Sequence, residues 1–212
     1  MQHSVFPYRL YLVVSESDCL GKDFLEVTEE AIKGGVDIVQ LREKNISSPA
    51  FLTKALRLKE ITDRYGVPLI INDDLAVAMQ VQASGIHVGN NDLAPTHIRT
   101  EWKKCGLLGY SIEYLPQLSN RETEVSDYLG ISPVFSTPTK QDTVTEWGLE
   151  GVEKIRSLTS KPLVAIGRMS ISNAYEVVKA GADCIAVVSA ICQAKDPAKA
   201  AFELKNQIEK AN

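Results

Sequence analysis

The hydrophobic positions of this chain fall into eight short runs, and between them the apolar spacing lengthens to that of amphipathic helices. The runs cover 10–14, 38–41, 69–71, 85–88, 107–110, 128–131, 163–166 and 184–188. Each is short enough for a buried strand and too short for a packed helix. The stretches between them predict helices over about 23–32, 49–65, 75–83, 95–104, near 116–120, up to Leu158, then 172–180 and 197–210. Local punctuation agrees with these limits: Ser47-Ser48-Pro49 is a helix start signal, while Gly34-Gly35 and Gly66 are stop signals.

Strict alternation of short apolar strands with helices implies right-handed βαβ units and a parallel sheet. Eight such units fit a single (β/α)8 TIM barrel, expected here as one domain over residues 1–212. An open doubly wound sheet is the competing arrangement, and no GxGxxG follows the first strand to support it. In a barrel, chemistry is expected at the C-terminal ends of the strands.

Composition narrows the partners. The chain is 44% hydrophobic and 24% charged, with a net charge of −4. That is a globular balance, and it argues against a general polyanion binder such as a nucleic-acid domain. Phosphate binding, if present, must come from a few placed cations and amides. Cys19, Cys105, Cys184 and Cys192 are scattered, without a CxxC pair, and read as buried free thiols of a reducing cytoplasm. No apolar run approaches the roughly 20 residues of a membrane span, so a soluble cytoplasmic protein is expected. Nothing in the pattern excludes a homo-oligomer.

Candidate chemistry collects at the strand ends. The second strand runs into Val39-Gln40-Leu41-Arg42-Glu43-Lys44. Strand alternation places Gln40, Arg42 and Lys44 on one face, away from Val39 and Leu41. Two cations on an inward face are costly unless an anion meets them. The third strand ends in Asn72-Asp73-Asp74 and the fourth in Gly89-Asn90-Asn91-Asp92. Neighbouring parallel strands would bring Asp73 and Asp92 to one mouth, a layout suited to Mg2+. Asp and Asn also end strands and cap helices, so this reading stands beside a plain structural one.

A Ser/Thr-rich loop, Phe135 to Thr143, follows the sixth strand and carries Lys140; it reads either as a lid over a phosphorylated substrate or as an ordinary loop. Gly167 and Val188-Ser189 close the seventh and eighth strands, where TIM barrels often bind phosphate through backbone amides. Ser111 ends the fifth strand and by itself reads as a helix cap. His87 reads as a packed or barrel-interior residue, His3 and His97 as surface residues, and Trp102 and Trp147 as packing groups.

Several of these segments together resemble the thiamine phosphate synthase family. They are Gln40-Leu41-Arg42-Glu43-Lys44, Ile71-Asn72-Asp73, Gly85-Ile86-His87-Val88-Gly89 with Asp92, and Pro133-Val134-Phe135 with Thr137-Pro138-Thr139-Lys140. Ala165-Ile166-Gly167 and Ala180-Gly181-Ala182-Asp183, running on to Val187-Val188-Ser189-Ala190-Ile191, complete the set. The order is kept over about residues 8–205, which makes the resemblance more specific than any one motif.

The resemblance implies a transferase that joins 4-amino-5-hydroxymethyl-2-methylpyrimidine diphosphate to a thiazole phosphate, giving thiamine phosphate and diphosphate. It implies that Gln40, Arg42, Lys44, Asn72 and Lys140 hold the pyrimidine diphosphate, with Ser111 near its reacting end. Asp73 and Asp92 would take Mg2+. Thr137, Thr139, Gly167, Val188 and Ser189 would hold the thiazole phosphate. Arg42, Lys44, Lys140 and Ser111 are then the catalytic set.

The chain departs from that family's pattern at Arg168, Asp74, Asn90-Asn91 and Glu113, where a glycine, an arginine, Gln-Glu and a histidine are usual. The missing histidine beside Ser111, with the cations and both aspartates retained, favours a synthase over a related thiazole tautomerase. A non-catalytic phosphate-binding barrel is the third reading, and it has no need of a metal at a leaving group.

Overall fold

A computed structural model of the chain describes residues 6–136 and 145–211. Eight strands, β1 (Leu10–Val14), β2 (Ile38–Leu41), β3 (Leu69–Asn72), β4 (Gly85–Val88), β5 (Leu107–Ile112), β6 (Tyr128–Ile131), β7 (Leu163–Ile166) and β8 (Cys184–Val187), close into one parallel barrel in sequence order. The helices are α1 (Phe24–Lys33), α2 (Ser48–Tyr65), α3 (Leu75–Gln80), α4 (Pro95–Glu101), α5 (Arg121–Val125), α6 (Gly148–Leu158), α7 (Ala174–Lys179), α8 (Ser189–Cys192) and α9 (Pro197–Ala211). This is the TIM barrel that the alternation predicts.

The starts follow from capping chemistry. Asp23 caps α1 by accepting from the amide of Leu25, and Ser47 caps α2 with Pro49 in the first turn. Gly66, at φ 66°, ends α2 in the left-handed conformation that glycine tolerates best. The structure shortens α3 and α4 relative to the sequence pattern. The helix expected near 116–120 is a 3-10 turn, Leu115–Ser119, and the structure adds elements too brief for periodicity to reveal: a 3-10 turn at Ser17–Cys19 and the helices α5 and α8.

Two apolar layers hold the barrel. Outward strand residues such as Leu12, Val39, Ile71 and Ile86 pack beneath the helices with Phe24, Leu58, Ile98 and Leu204. Inward residues Tyr11, Val13, Ile38, Ile70, Tyr128, Val164, Cys184 and Ala186 fill the barrel itself. The period of two along each strand sorts side chains between these layers.

The N-terminal end of the barrel is tied by a device used three times. Asp37, Asp127 and Asp183 each stand just before a strand. Their amides donate to the carbonyls of Leu10, Leu108 and Leu163 at 2.9, 2.8 and 2.9 Å. Their carboxylates accept from the amides of those same residues at 3.0, 2.7 and 2.8 Å. Lys205, Arg99 and Arg156 supply the matching cations. Among the described residues, no helix is long and apolar enough to cross a membrane.

Candidate active site

A cavity of about 290 Å³ opens at the C-terminal ends of the strands. Gln40, Arg42, Lys44, Asn72, Asp73 and Asp92 line one side of it. Ser111, Gly167, Val188 and Ser189 line the rest with Arg168 and Glu113. Thr137, Thr139 and Lys140 lie outside the described residues.

The end of β2 differs from the sequence expectation in a useful way. Strand pairing stops at Leu41, so Arg42 and Lys44 project from the following loop rather than from an inward strand face. Leaving the sheet gives both cations access to water: Arg42 is half-buried, and the Lys44 side chain is 53% exposed. Neither is a buried charge. Lys44 also has an internal partner, Asp73, at 3.2 Å, where the sequence suggested only a bound anion. The Arg42 guanidinium makes no ion pair or hydrogen bond among the described residues, which leaves its donors to face the cavity. Glu43 turns outward to the amide of Glu16 and to Lys54, each at 2.9 Å.

Asp73 and Asp92 meet at the mouth, as adjacent β3 and β4 require. Asp73 sits at φ 61°, a conformation uncommon outside glycine, and accepts from the Asn72 amide at 2.5 Å. Asp92 accepts from the amide of Gly89 at 2.8 Å. Burial, and then the neighbouring Asp92 carboxylate, push the Asp73 carboxyl up to about 6 against the opposing pull of Lys44. Two carboxylates driven together call for a cation. No cluster of three or more His, Cys, Asp or Glu suited to a metal occurs among the described residues. The donor set does fit Mg2+, which takes one or two carboxylates and completes its shell with water and phosphate oxygens. Asp74 is not part of this pair: it caps α3 through the amide of Val77 and accepts from Ser48.

Ser111 lies within β5, which extends to Ile112, and caps nothing. Its hydroxyl meets Nε2 of His87 at 2.9 Å, and Nδ1 of His87 meets the Tyr128 hydroxyl at 3.2 Å. Tyr128 meets the Tyr11 hydroxyl at 3.0 Å, which accepts from the Gln40 amide at 2.8 Å. A hydrogen-bonded chain therefore crosses the cavity floor from β2 to β5. Sequence reasoning reaches its two ends and leaves His87 as a packed or barrel-interior residue, but misses Tyr11 and Tyr128. Their inward strand positions are the available signal.

On the far side, Gly167 has φ 116°, and an added Cβ would stand 2.6 Å from the Cβ of Pro133 and 2.9 Å from the carbonyl oxygen of Phe135. Glycine is required there on both counts. Arg168 follows at φ 52° with its side chain exposed at the cavity edge. Val188 and Ser189 lead into the short helix α8. Asn90 accepts from Tyr110 at 2.7 Å and from Gln117, so it braces the β4–β5 side. All four cysteines are buried and free.

Comparison with known proteins identifies the family and agrees with the fold. The family model described as "Thiamine monophosphate synthase" matches residues 10–191. The thiamine-phosphate synthase of Albidiferax ferrireducens is 44% identical over 201 residues, covering 95% of this chain and 92% of the relative. That of Shouchella clausii is 39% identical over 206 residues, covering 97% and 99%. A solved thiamine phosphate pyrophosphorylase from Pyrococcus furiosus superposes with a TM-score of 0.87 at 32% identity, covering 97% of each chain. On sequence, fold and extent of the match, the chain belongs to the thiamine monophosphate synthase family.

Proposed function

We propose that this enzyme joins 4-amino-5-hydroxymethyl-2-methylpyrimidine diphosphate to a thiazole phosphate, forming thiamine phosphate and releasing diphosphate. The observation that carries the reading is the arrangement of the mouth: the guanidinium of Arg42, unpaired among the described residues, the ammonium of Lys44 and the Asp73–Asp92 pair line one cavity together, with Lys44 against Asp73 at 3.2 Å.

The chemistry suits those residues. The bond from the pyrimidine methylene carbon to the diphosphate oxygen breaks, and the amino-substituted ring delocalises the positive charge left on that carbon. The thiazole nitrogen then bonds to it. Arg42, Lys44 and Lys140 stabilise charge gathering on the diphosphate, and preorganised electrostatics of this kind usually supplies most of the acceleration in such a reaction. Asp73 and Asp92 are the residues to hold Mg2+, which supplies further neutralisation of the diphosphate when bound. Gln40 and Asn72 orient the pyrimidine half, with Ser111 at its reacting end. Thr137, Thr139, Gly167, Val188 and Ser189 hold the thiazole phosphate. No strong base is required, which fits a cavity in which His87 is hydrogen-bonded at both ring nitrogens. The four free thiols support a reducing, cytoplasmic setting.

The test is direct. Purified protein is incubated with both substrates and Mg2+, and thiamine phosphate and diphosphate are followed by chromatography. Equal amounts of the two products are expected. Isomerisation of the thiazole without coupling would replace this reading with a tautomerase, and no turnover of either substrate would leave a binding barrel.

A further inference from the structure

We infer that the chain Gln40–Tyr11–Tyr128–His87–Ser111 has a fixed direction, which holds His87 as the neutral Nε2–H tautomer and turns the Ser111 hydroxyl proton toward the cavity. Tyr11, Tyr128 and His87 are then positioning residues that act through Ser111. The hydrogen-bond geometry is independent of the function proposed above; the consequence for catalysis rests on it.

The direction follows from counting donors. A phenol has one proton to give. Gln40 donates its amide N–H to the Tyr11 oxygen at 2.8 Å, so the Tyr11 proton is available to Tyr128, 3.0 Å away. Tyr128 then gives its own proton to Nδ1 of His87 at 3.2 Å; the reverse order would leave the buried Tyr11 proton without an acceptor among the described residues. A ring nitrogen that accepts is unprotonated, so the neutral ring carries its proton on Nε2 and donates it to the Ser111 oxygen at 2.9 Å. That bond occupies Ser111 as an acceptor and leaves its own O–H to point into the cavity it lines. Burial drives both tyrosine hydroxyls upward, so each keeps the proton this count needs.

The barrel is shaped around the chain. An added Cβ at Gly109 would fall 2.2 Å from Cζ of Tyr128 and 2.3 Å from Nδ1 of His87. One at Gly130 would lie 3.0 Å from Cε1 of His87. The two glycines on β5 and β6 make the volume in which the imidazole and phenol stack, with centroids 5.5 Å apart. A Ser111 fixed in this way is a committed hydrogen-bond donor. It can stabilise charge growing on an oxygen of the departing diphosphate, and it cannot take up a proton.

Two measurements test this. In the substrate-free protein at neutral pH, long-range proton–nitrogen NMR of the imidazoles should show His87 as Nε2–H, the signal being assigned by its loss in His87→Gln. A Nδ1–H tautomer or an imidazolium would overturn the direction whatever the enzyme's reaction. Kinetically, Tyr128→Phe should lower kcat about ten-fold, the weight of one hydrogen bond passed on through Ser111, with KM little changed. The same substitution should change kcat far less in a Ser111→Ala background, because the effect passes through that hydroxyl. Independent, multiplicative losses in the double variant would overturn the positioning role and leave the chain purely structural.

Discussion

At the N-terminal end of the barrel, Asp37, Asp127 and Asp183 each find two strand-start groups and a cation. At the C-terminal end, Asp73 and Asp92 find each other, and among the described residues Lys44 is the cation paired with them. The residue type is the same and the local arrangement is opposite. Carboxylates at the first end have their lone pairs matched by donors, so they fix strand register and gain nothing from a ligand. Those at the second repel, and one of them is held in a left-handed backbone conformation. Electrostatic mismatch of this kind is tolerated where something else completes it. One end of the barrel is built for stability and the other for binding.

The sharpest way to break that comparison is to swap the consequences. Asp73→Asn should lower kcat/KM by roughly a hundred-fold or more, since it removes one of the two carboxylates that would hold the Mg2+ neutralising the leaving diphosphate. Its thermal midpoint should hold or rise, because the repulsion with Asp92 goes with the charge. Paired activity and melting measurements check both signs. Loss of folding in this variant would move Asp73 into the structural class.

Asp127→Ala should do the reverse. It strands the amide of Leu108 and the guanidinium of Arg99, which the carboxylate joins at 2.7 and 2.5 Å. Loss of a partly buried charged acceptor of this kind costs about 2–3 kcal/mol. Denaturant titration should show that loss, while kcat per folded molecule stays unchanged. A drop in kcat without a drop in stability would contradict the division between the two ends.

Gly167→Ala probes the opposite rim. A methyl group there meets Pro133 and Phe135 and must adopt φ 116°, so about 1–3 kcal/mol of strain is expected. Because the strain sits at the proposed thiazole phosphate site, KM for that substrate should rise more than KM for the pyrimidine diphosphate. Equal changes in both would show that Gly167 serves only the fold.

Sequence patterning made the barrel legible because eight strand–helix repeats leave few topologies. Strand limits came through best, since an apolar run and its Gly, Asp or Asn neighbours are local signals. The short helices α5 and α8 escaped because a single turn has no period to detect. At the site, Asp73 and Asp92 were legible as a pair from strand adjacency alone. The Lys44–Asp73 ion pair was not, because it depends on where β2 stops pairing, one residue before Arg42. Tyr11 and Tyr128 were hidden for another reason: an inward aromatic reads as core until its hydroxyl partner is known. The three clips at Asp37, Asp127 and Asp183 were a visible repeat, an aspartate immediately before a strand, and only the hydrogen bonds reveal what it does.

Arg168 offers the smallest effect and the finest discrimination. Its exposed guanidinium stands beside Gly167 at the cavity edge, at a φ of 52° that glycine would adopt without strain. Arg168→Gly removes the side chain and relieves the backbone, two effects that bear on stability in opposite directions through the flexibility of the unfolded chain. Stability should therefore change little. Affinity responds to charge alone: an exposed cation near a phosphate is worth well under 1 kcal/mol, so KM for the thiazole phosphate should rise about three-fold. Added salt should shrink that difference, because the contact is screened. Arg168→Lys, which keeps the charge and the backbone strain, should stay near the parent value. If Arg168→Gly instead lowered KM, the arginine would be crowding the rim rather than extending the phosphate site across it.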